Sequence, residues 1–298
     1  MVDDTPETRG TLLVPLANPD TADRQLDTAI DIATDRSYRL VLVFVLEVPP
    51  QLSLADGRRY LLDSRHEELL QTAAERAAEA GILAERRIRM ARGVARGIVG
   101  AAARYDADAI LVGWRGRPPR GNVVLGSHVD TVLRDAECDV LVKRVQTPSP
   151  ADPDSVLVPV AGGPHDECAL EAAASIARSH DAGVHLLHVV AETNPEYTES
   201  EAEVLLGGTR SSLEGVATTT EVATAENVAG AITDRTADHD LTLLGVSRGG
   251  LLERRLLGSV SEGVGRHAAG TVILARRYVP TTSRLRRALS RRRPSGDR

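Results

Sequence analysis

The run Gly113-Trp114-Arg115-Gly116 is followed, nine residues later, by Gly126-Ser127. Glycine lets a backbone turn tightly and lets a ligand approach the chain closely. A Gly-Ser pair that opens a helix offers free N–H groups and a hydroxyl at the positive end of the helix dipole, where anions and phosphates bind. Arg115, Arg117 and Arg120 add full positive charges in the segment between,. These residue types at this spacing suit a cradle for a polyphosphate. No Ser/His/Asp set, paired carboxylates or Cys/His zinc spacing stands where a catalyst would need it.

Such a cradle works only after a strand and before a helix, so the surrounding elements decide its meaning. The chain repeats itself. At an offset of 144 residues, Leu12 to Ala17 (LLVPLA) matches Val156 to Ala161 (VLVPVA), and Leu26, Ala29, Ile30 and Ala33 map onto Leu170, Ala173, Ala174 and Ala177. Those four have the spacing of one helical stripe. Further along the offset is 132: Leu111-Val112-Gly113 maps onto Leu243-Leu244-Gly245, Gly126-Ser127 onto Gly258-Ser259, and Val140 to Val142 onto Val272 to Leu274. The difference of twelve residues is expected in an irregular segment, Pro49 to Arg59, rich in turn punctuation.

In copy one, strands are expected near 11–16, 39–48, 85–90, 108–113 and 138–145, with helices near 20–36, 60–80, 94–105 and 127–136. In copy two, strands are expected near 155–160, 183–190, 216–223, 241–246 and 271–276, with helices near 165–181, 198–213, 226–238 and 259–268. Continuously apolar strands alternating with helices predict a parallel sheet covered on both faces, hence a doubly wound α/β fold in each copy. The expected organisation is a tail (1–10), a first domain (11–146), a proline-rich linker (147–154), a second domain (155–278) and an arginine-rich tail (279–298).

Composition narrows the class. Of 36 basic residues only Lys143 is a lysine. Residues 281–298 hold seven arginines against Asp297, a net +6, which leaves −12 on the rest of a chain whose total is −6. An acidic, lysine-poor body suits a high-salt cytoplasm of the haloarchaeal kind, and a GC-rich genome equally well; it is a poor general binder of nucleic acid. No stretch approaches the roughly 20 apolar residues of a bilayer-spanning helix, and the acidic N-terminus shows no secretory signal. The expectation is a cytoplasmic protein. The basic tail, with Leu285, Ala288 and Leu289 at amphipathic spacing, is read as a solvated, charge-compensating segment in preference to a membrane- or RNA-binding one.

The pattern Gly, two residues, Gly, nine residues, Gly, Ser resembles the nucleotide-binding signature of the universal stress protein family. Copy one satisfies it at Gly113, Gly116, Gly126 and Ser127. The resemblance extends over roughly residues 10–145 and 154–277 and includes the opening Leu-Val-Pro strand. It implies two tandem open parallel five-stranded sheets of strand order 3-2-1-4-5, each of Rossmann-like adenine-nucleotide-binding type. It also implies ATP or another adenine nucleotide as ligand, with Mg²⁺ as an optional companion. The base would lie on Pro15, Leu16, Ala17 and Val45, and the phosphates on Gly116, Gly126, Ser127 and His128. The repeat carries the site to Pro159, Val160, Ala161, Val189, Gly245, Arg248, Gly249, Gly258, Ser259 and Val260. Family members pair subunits through the last strand, so strands 138–145 and 271–276 are expected to pair within this chain as an internal dimer, with a homodimer as a further option.

Two departures bear on the ligand. The aspartate that nucleotide-binding members usually carry after the first strand is Ala17 in copy one and Ala161 in copy two, and the second glycine of the signature is Arg248 in copy two. Copy one is therefore the better candidate. Trp114 is read as a partly exposed or packing residue before a base-stacking one, His185 and His188 as sheet residues, and Cys138 and Cys168 as structural. Gly162 to Asp166 (GGPHD) lacks the serine of an ATP-pyrophosphatase loop. The function expected is a nucleotide-responsive regulatory or stress-protective protein with at most slow ATP hydrolysis. A nucleotide-free interaction module acting on a transporter or another protein partner is the alternative. An ATP-cleaving or adenylating enzyme is disfavoured by the missing acid/base groups.

Overall fold

The computed structural model describes residues 8–115, 125–145, 150–193, 196–246 and 258–280. Gly116, Arg117, Arg120, Arg248, Gly249 and the basic tail lie outside them.

Copy one runs β1 (Gly10–Pro15), α1 (Pro19–Arg36), β2 (Tyr38–Glu47), α2 (Leu54–Leu61), α3 (Ser64–Glu79), β3 (Ala84–Ala91), α4 (Val94–Arg104), β4 (Ala109–Trp114), α5 (Ser127–Asp135) and β5 (Asp139–Arg144). Copy two runs β6 (Ser155–Pro159), α6 (Pro164–His180), β7 (Gly183–Ala191), α7 (Glu199–Thr209), β8 (Thr218–Ala225), α8 (Val228–Arg235), β9 (Leu241–Gly245), α9 (Ser259–His267) and β10 (Thr271–Arg276). The inner strands are apolar on both faces, the end strands β3 and β8 are polar and only partly buried, and helices cover the sheet on both sides,.

Each copy has the order 3-2-1-4-5, and the ten strands form a single sheet, β3-β2-β1-β4-β5-β10-β9-β6-β7-β8. All pairings are parallel except the central one: β5 and β10 run antiparallel, with Val142 opposite Leu274. The last strands of the two copies pair within the chain, as expected, and this joins the two tandem five-stranded sheets into one continuous sheet. Its cores follow suit. One apolar layer joins Leu12, Leu40 and Leu70 of copy one to Val158, Leu170 and Leu243 of copy two. The other joins Ile110 and Val132 to Leu157 and Val272. Arg144 reaches from β5 to the carbonyls of Gly265, Ala268 and Gly270, and Arg276 reaches from β10 to those of Ala136 and Cys138.

Three helix expectations need correction. The helix expected at 60–80 is two helices, broken because Asp63 caps α3: its carboxylate accepts from the Arg65 amide at 3.0 Å, while His66 Nδ1 accepts from the Asp63 amide. The segment expected to be irregular thus carries α2, which has no counterpart in copy two. The helices expected at 198–213 and 226–238 tighten into 3₁₀ turns at Arg210–Leu213 and Thr236–Asp238. The strand expected at 216–223 lies two residues later.

Candidate functional site

In an open parallel sheet the ligand crevice lies at the carboxyl ends of the strands, where the strand order switches. In copy one that point is between β1 and β4. Gln25, buried on α1, spans it: its Nε2 donates to the carbonyls of Pro15 (3.0 Å) and Leu111 (2.7 Å). The Leu16 amide donates to Val43, which fixes the end of β1 against β2.

The two glycines beside this crevice serve different needs. A Cβ at Gly113 would stand 2.7 Å from Gln25 Oε1 and 3.2 Å from Val145 Cγ1, so any side chain there would displace Gln25 from its place. Gly126 has open space around it, but its φ of +98° is a conformation L side chains rarely adopt,. As the N-cap of α5 it has no side chain to satisfy the first-turn amides, which therefore remain available to an anion. Asp130 accepts from the Leu125 amide and anchors the chain just before Gly126; burial pushes its carboxyl above the ordinary range despite that bond.

Between these elements lies a cavity of about 680 Å³. Pro15, Leu16, Ala17, Val45, Gly113, Arg115, Gly126, Ser127 and His128, each singled out from the sequence, all line it. Val94, Ile98, Leu125, Val129 and Val145 complete an apolar wall, and Asn18, Thr21 and Gln25 add polar groups from α1. Sequence reasoning missed these. Gln25 was detectable as a polar residue one helical turn before Ala29 in the buried stripe. Trp114 lines the cavity too, yet it is only 5% exposed, and its ring lies 3.8 Å from where a Cβ on Gly265 of α9 would stand. It is a packing residue and not a partly exposed one, it sits at the seam between the copies, and it joins the cavity to that seam.

Copy two arranges the same elements differently. Asp166 occupies the position of Ala22, and its Oδ2 accepts from the amides of Ala161 and Gly162, both at 2.8 Å. A Cβ on Gly245 would stand 2.2 Å from Asp166 Oδ1. Burial pushes the Asp166 carboxyl above the ordinary range, with the two amides pulling the other way. Ser261, in place of Val129, donates to the Gly245 carbonyl at 3.1 Å. His188 Nδ1 donates to the carbonyl of Val160 at 2.7 Å. The amides of Ala161 and Gly162 and the carbonyls of Val160 and Gly245, at the strand ends of copy two, are thus engaged by side chains of the chain itself. Pro159 and Val160 are buried, Val189 is half-buried, and Gly258, Ser259 and Val260 open α9.

Cys138 and Cys168 are buried and free, and burial pushes both thiols up, Cys138 to about 12. Among the described residues no group of three or more His, Cys, Asp or Glu could hold a metal. None of their helices is long and apolar enough to cross a membrane.

The sequence profile of the universal stress protein family matches residues 8–144 and 153–276. Universal stress protein MJ0531 of Methanocaldococcus jannaschii is 29% identical over 139 residues, 45% of this chain and 81% of that protein. The Na⁺/H⁺ antiporter NhaS5 of Synechocystis is 29% identical over 193 residues, 64% of this chain; the match spans only 27% of the antiporter. The crystal structure of a universal stress protein from Archaeoglobus fulgidus superposes with a TM-score of 0.68 at 20% identity, covering 91% of this chain and 97% of that one.

Proposed function

The chain belongs to the universal stress protein family, with two family domains in tandem, and from that premise we propose that it is a regulatory protein that binds one adenine nucleotide in the copy-one crevice. The observation that carries the reading is convergence. Residues chosen for a base site and residues chosen for a phosphate site line one cavity of nucleotide size,. Leu16, Val45 and Ile98 offer the base an apolar slot, and the open first turn of α5 with Arg115 offers charge to the phosphates. No carboxylate is among the described residues that line the cavity, so an accompanying Mg²⁺ would be held by the phosphates and water.

Occupancy is transmitted, on this reading, through Trp114 and Val145, which line the cavity and adjoin the β5–β10 seam. A ligand that binds one arrangement of that seam more tightly shifts the population towards it. The protein acts as a binder, and any ATP hydrolysis is slow. The antiporter match favours a second reading, in which the same domains regulate a transporter without nucleotide; Ala17 in place of the usual aspartate supports it.

Calorimetry with ATP, ADP and AMP, with and without Mg²⁺, separates the two. Saturable binding near one ligand per chain, lost in Gly126→Val/Ser127→Val, supports the first. Absence of binding at millimolar nucleotide in the wild type supports the second.

A further inference from the structure

The extra helix of copy one borders a second cavity at the outer edge of the sheet. It has a volume of about 580 Å³ and is lined by Arg58 of α2, Glu67 and Leu70 of α3, and Arg86, Arg87 and Ile88 of β3. β3 is the end strand. Leu83 and Ala91 give their carbonyls to β2. By alternation, the backbone polar groups of Arg86 and Ile88, two of the residues lining this cavity, face away from β2,. The Arg86 carbonyl accepts from its neighbour, Arg87 Nη1, at 2.9 Å.

The charge here opposes that of the molecule. Three arginines face one carboxylate, Glu67, in a chain of net −6. Arg87 pairs with Glu85, but Arg58 and Arg86 are exposed and form no ion pair among the described residues. Copy two has no equivalent: the positions matching Arg86 and Arg87 on its own end strand are Thr220 and Glu221. Charge on an end strand can serve merely to repel other edges. That purpose needs no helix, yet α2 adds a wall, a further arginine and Tyr60, which is 64% exposed beside Arg59. Arg and Tyr are the residue types that carry binding energy at protein interfaces.

We propose that this edge docks an acidic, extended segment of a partner protein, which adds as a strand beside β3 with its carboxylates on Arg58 and Arg86. Backbone hydrogen bonds to Arg86 and Ile88 would supply affinity, and the arginines selectivity for acidic sequences.

Fluorescence anisotropy on the full chain tests it, with a labelled ten-residue peptide of alternating Glu and Val as the probe. We expect saturable, salt-sensitive binding that weakens at least tenfold in R58E/R86E, and comparably when the peptide is N-methylated at every residue. The milder R58Q/R86Q should weaken it in the same direction. Both variants should keep the wild-type urea midpoint, since neither side chain is buried. No binding at millimolar peptide, or equal binding by R58E/R86E, would overturn the site. Equal binding of the N-methylated peptide would overturn strand addition. Tighter binding of a ten-nucleotide RNA, or a dimer in sedimentation that R58E/R86E dissolves, would overturn the class of partner.

Discussion

Arg144 and Arg276 are related by the 132-residue repeat, and each caps the other copy. Arg144 donates to the carbonyls of Ala268 and Gly270, and Arg276 to those of Ala136 and Cys138, the same two positions one repeat apart. Ala136 and Ala268 end α5 and α9, where carbonyls lack helical partners and the dipole favours a cation,. The seam is therefore two-fold in its chemistry as well as in its strands. Hydrogen bonds from charged groups contribute about 1.5–3 kcal/mol each. Arg144→Met and Arg276→Met should each lower stability by roughly 2–4 kcal/mol, read from urea denaturation. An unchanged midpoint in either would show that the caps contribute little.

Lys143, the only lysine, is 1% exposed and has no equal in copy two, where Ala275 stands. Its Nζ donates to the Arg24 carbonyl and to Thr28 Oγ1. Burial pulls its pKa down to about 8, although Asp27 and Asp31 pull upward. A lysine whose folded value lies below its unfolded one opposes folding while charged, so this contribution to stability should improve between about pH 8 and 10.5,. Labelled lysine gives one NMR signal in this protein. Its titration should centre near pH 8, and a midpoint above 10 would contradict the burial argument.

His180 joins three segments, contacting Asp31 of α1 at 3.1 Å and Asp152 at 2.9 Å. Burial lowers its pKa, but the Asp152 hydrogen bond and the Asp31 charge outweigh that and raise it. A raised histidine adds stability that is complete below its unfolded value near 6.5 and is lost as pH climbs through the folded value. Melting temperatures taken from pH 6 upward should show this loss in the wild type and a shallower slope in His180→Gln. Parallel curves would remove His180 from the account.

Gly113→Ala places a methyl 2.7 Å from Gln25 Oε1. Overpacking of this kind costs about 1–3 kcal/mol. Because Gln25 holds the ends of β1 and β4, nucleotide affinity should fall along with the melting temperature. Full affinity in the variant would mean that the Gln25 bridge does not shape the site.

Asp166 predicts the stoichiometry. With the Ala161 and Gly162 amides already engaged, calorimetry should find one nucleotide per chain, and Asp166→Asn should leave copy-one affinity unchanged while lowering stability. Two equivalent sites would disprove the closure of copy two.

The parts legible in the sequence were those set by local pattern. The repeat located the first, second, fourth and fifth strand of each copy, and the glycine signature with the family resemblance it carries named nine residues that line one cavity, because glycine positions and strand ends are fixed by backbone geometry. Side chains acting across space were not legible. Gln25 matters through two carbonyls 10 and 86 residues away. Asp166 lies in the first turn of α6, just after a glycine pair that the sequence disfavours as an ATP-pyrophosphatase loop, and it serves its own backbone. The substitution of Ala22 by an acid in the second copy was the available hint. The split between α2 and α3 turned on Asp63, a residue that a helix tolerates until it takes the cap.

Because β5 and β10 cross head to tail, the carboxyl ends of the strands in the two halves point in opposite directions. Two separate identical subunits joined in this way would have to display matching mouths at both poles. A covalent fusion escapes that obligation. Here a cavity borders the strand ends at one pole, while at the other Asp166 and Ser261 engage their own backbone, and each half is free to drift from its twin without unmaking the pair.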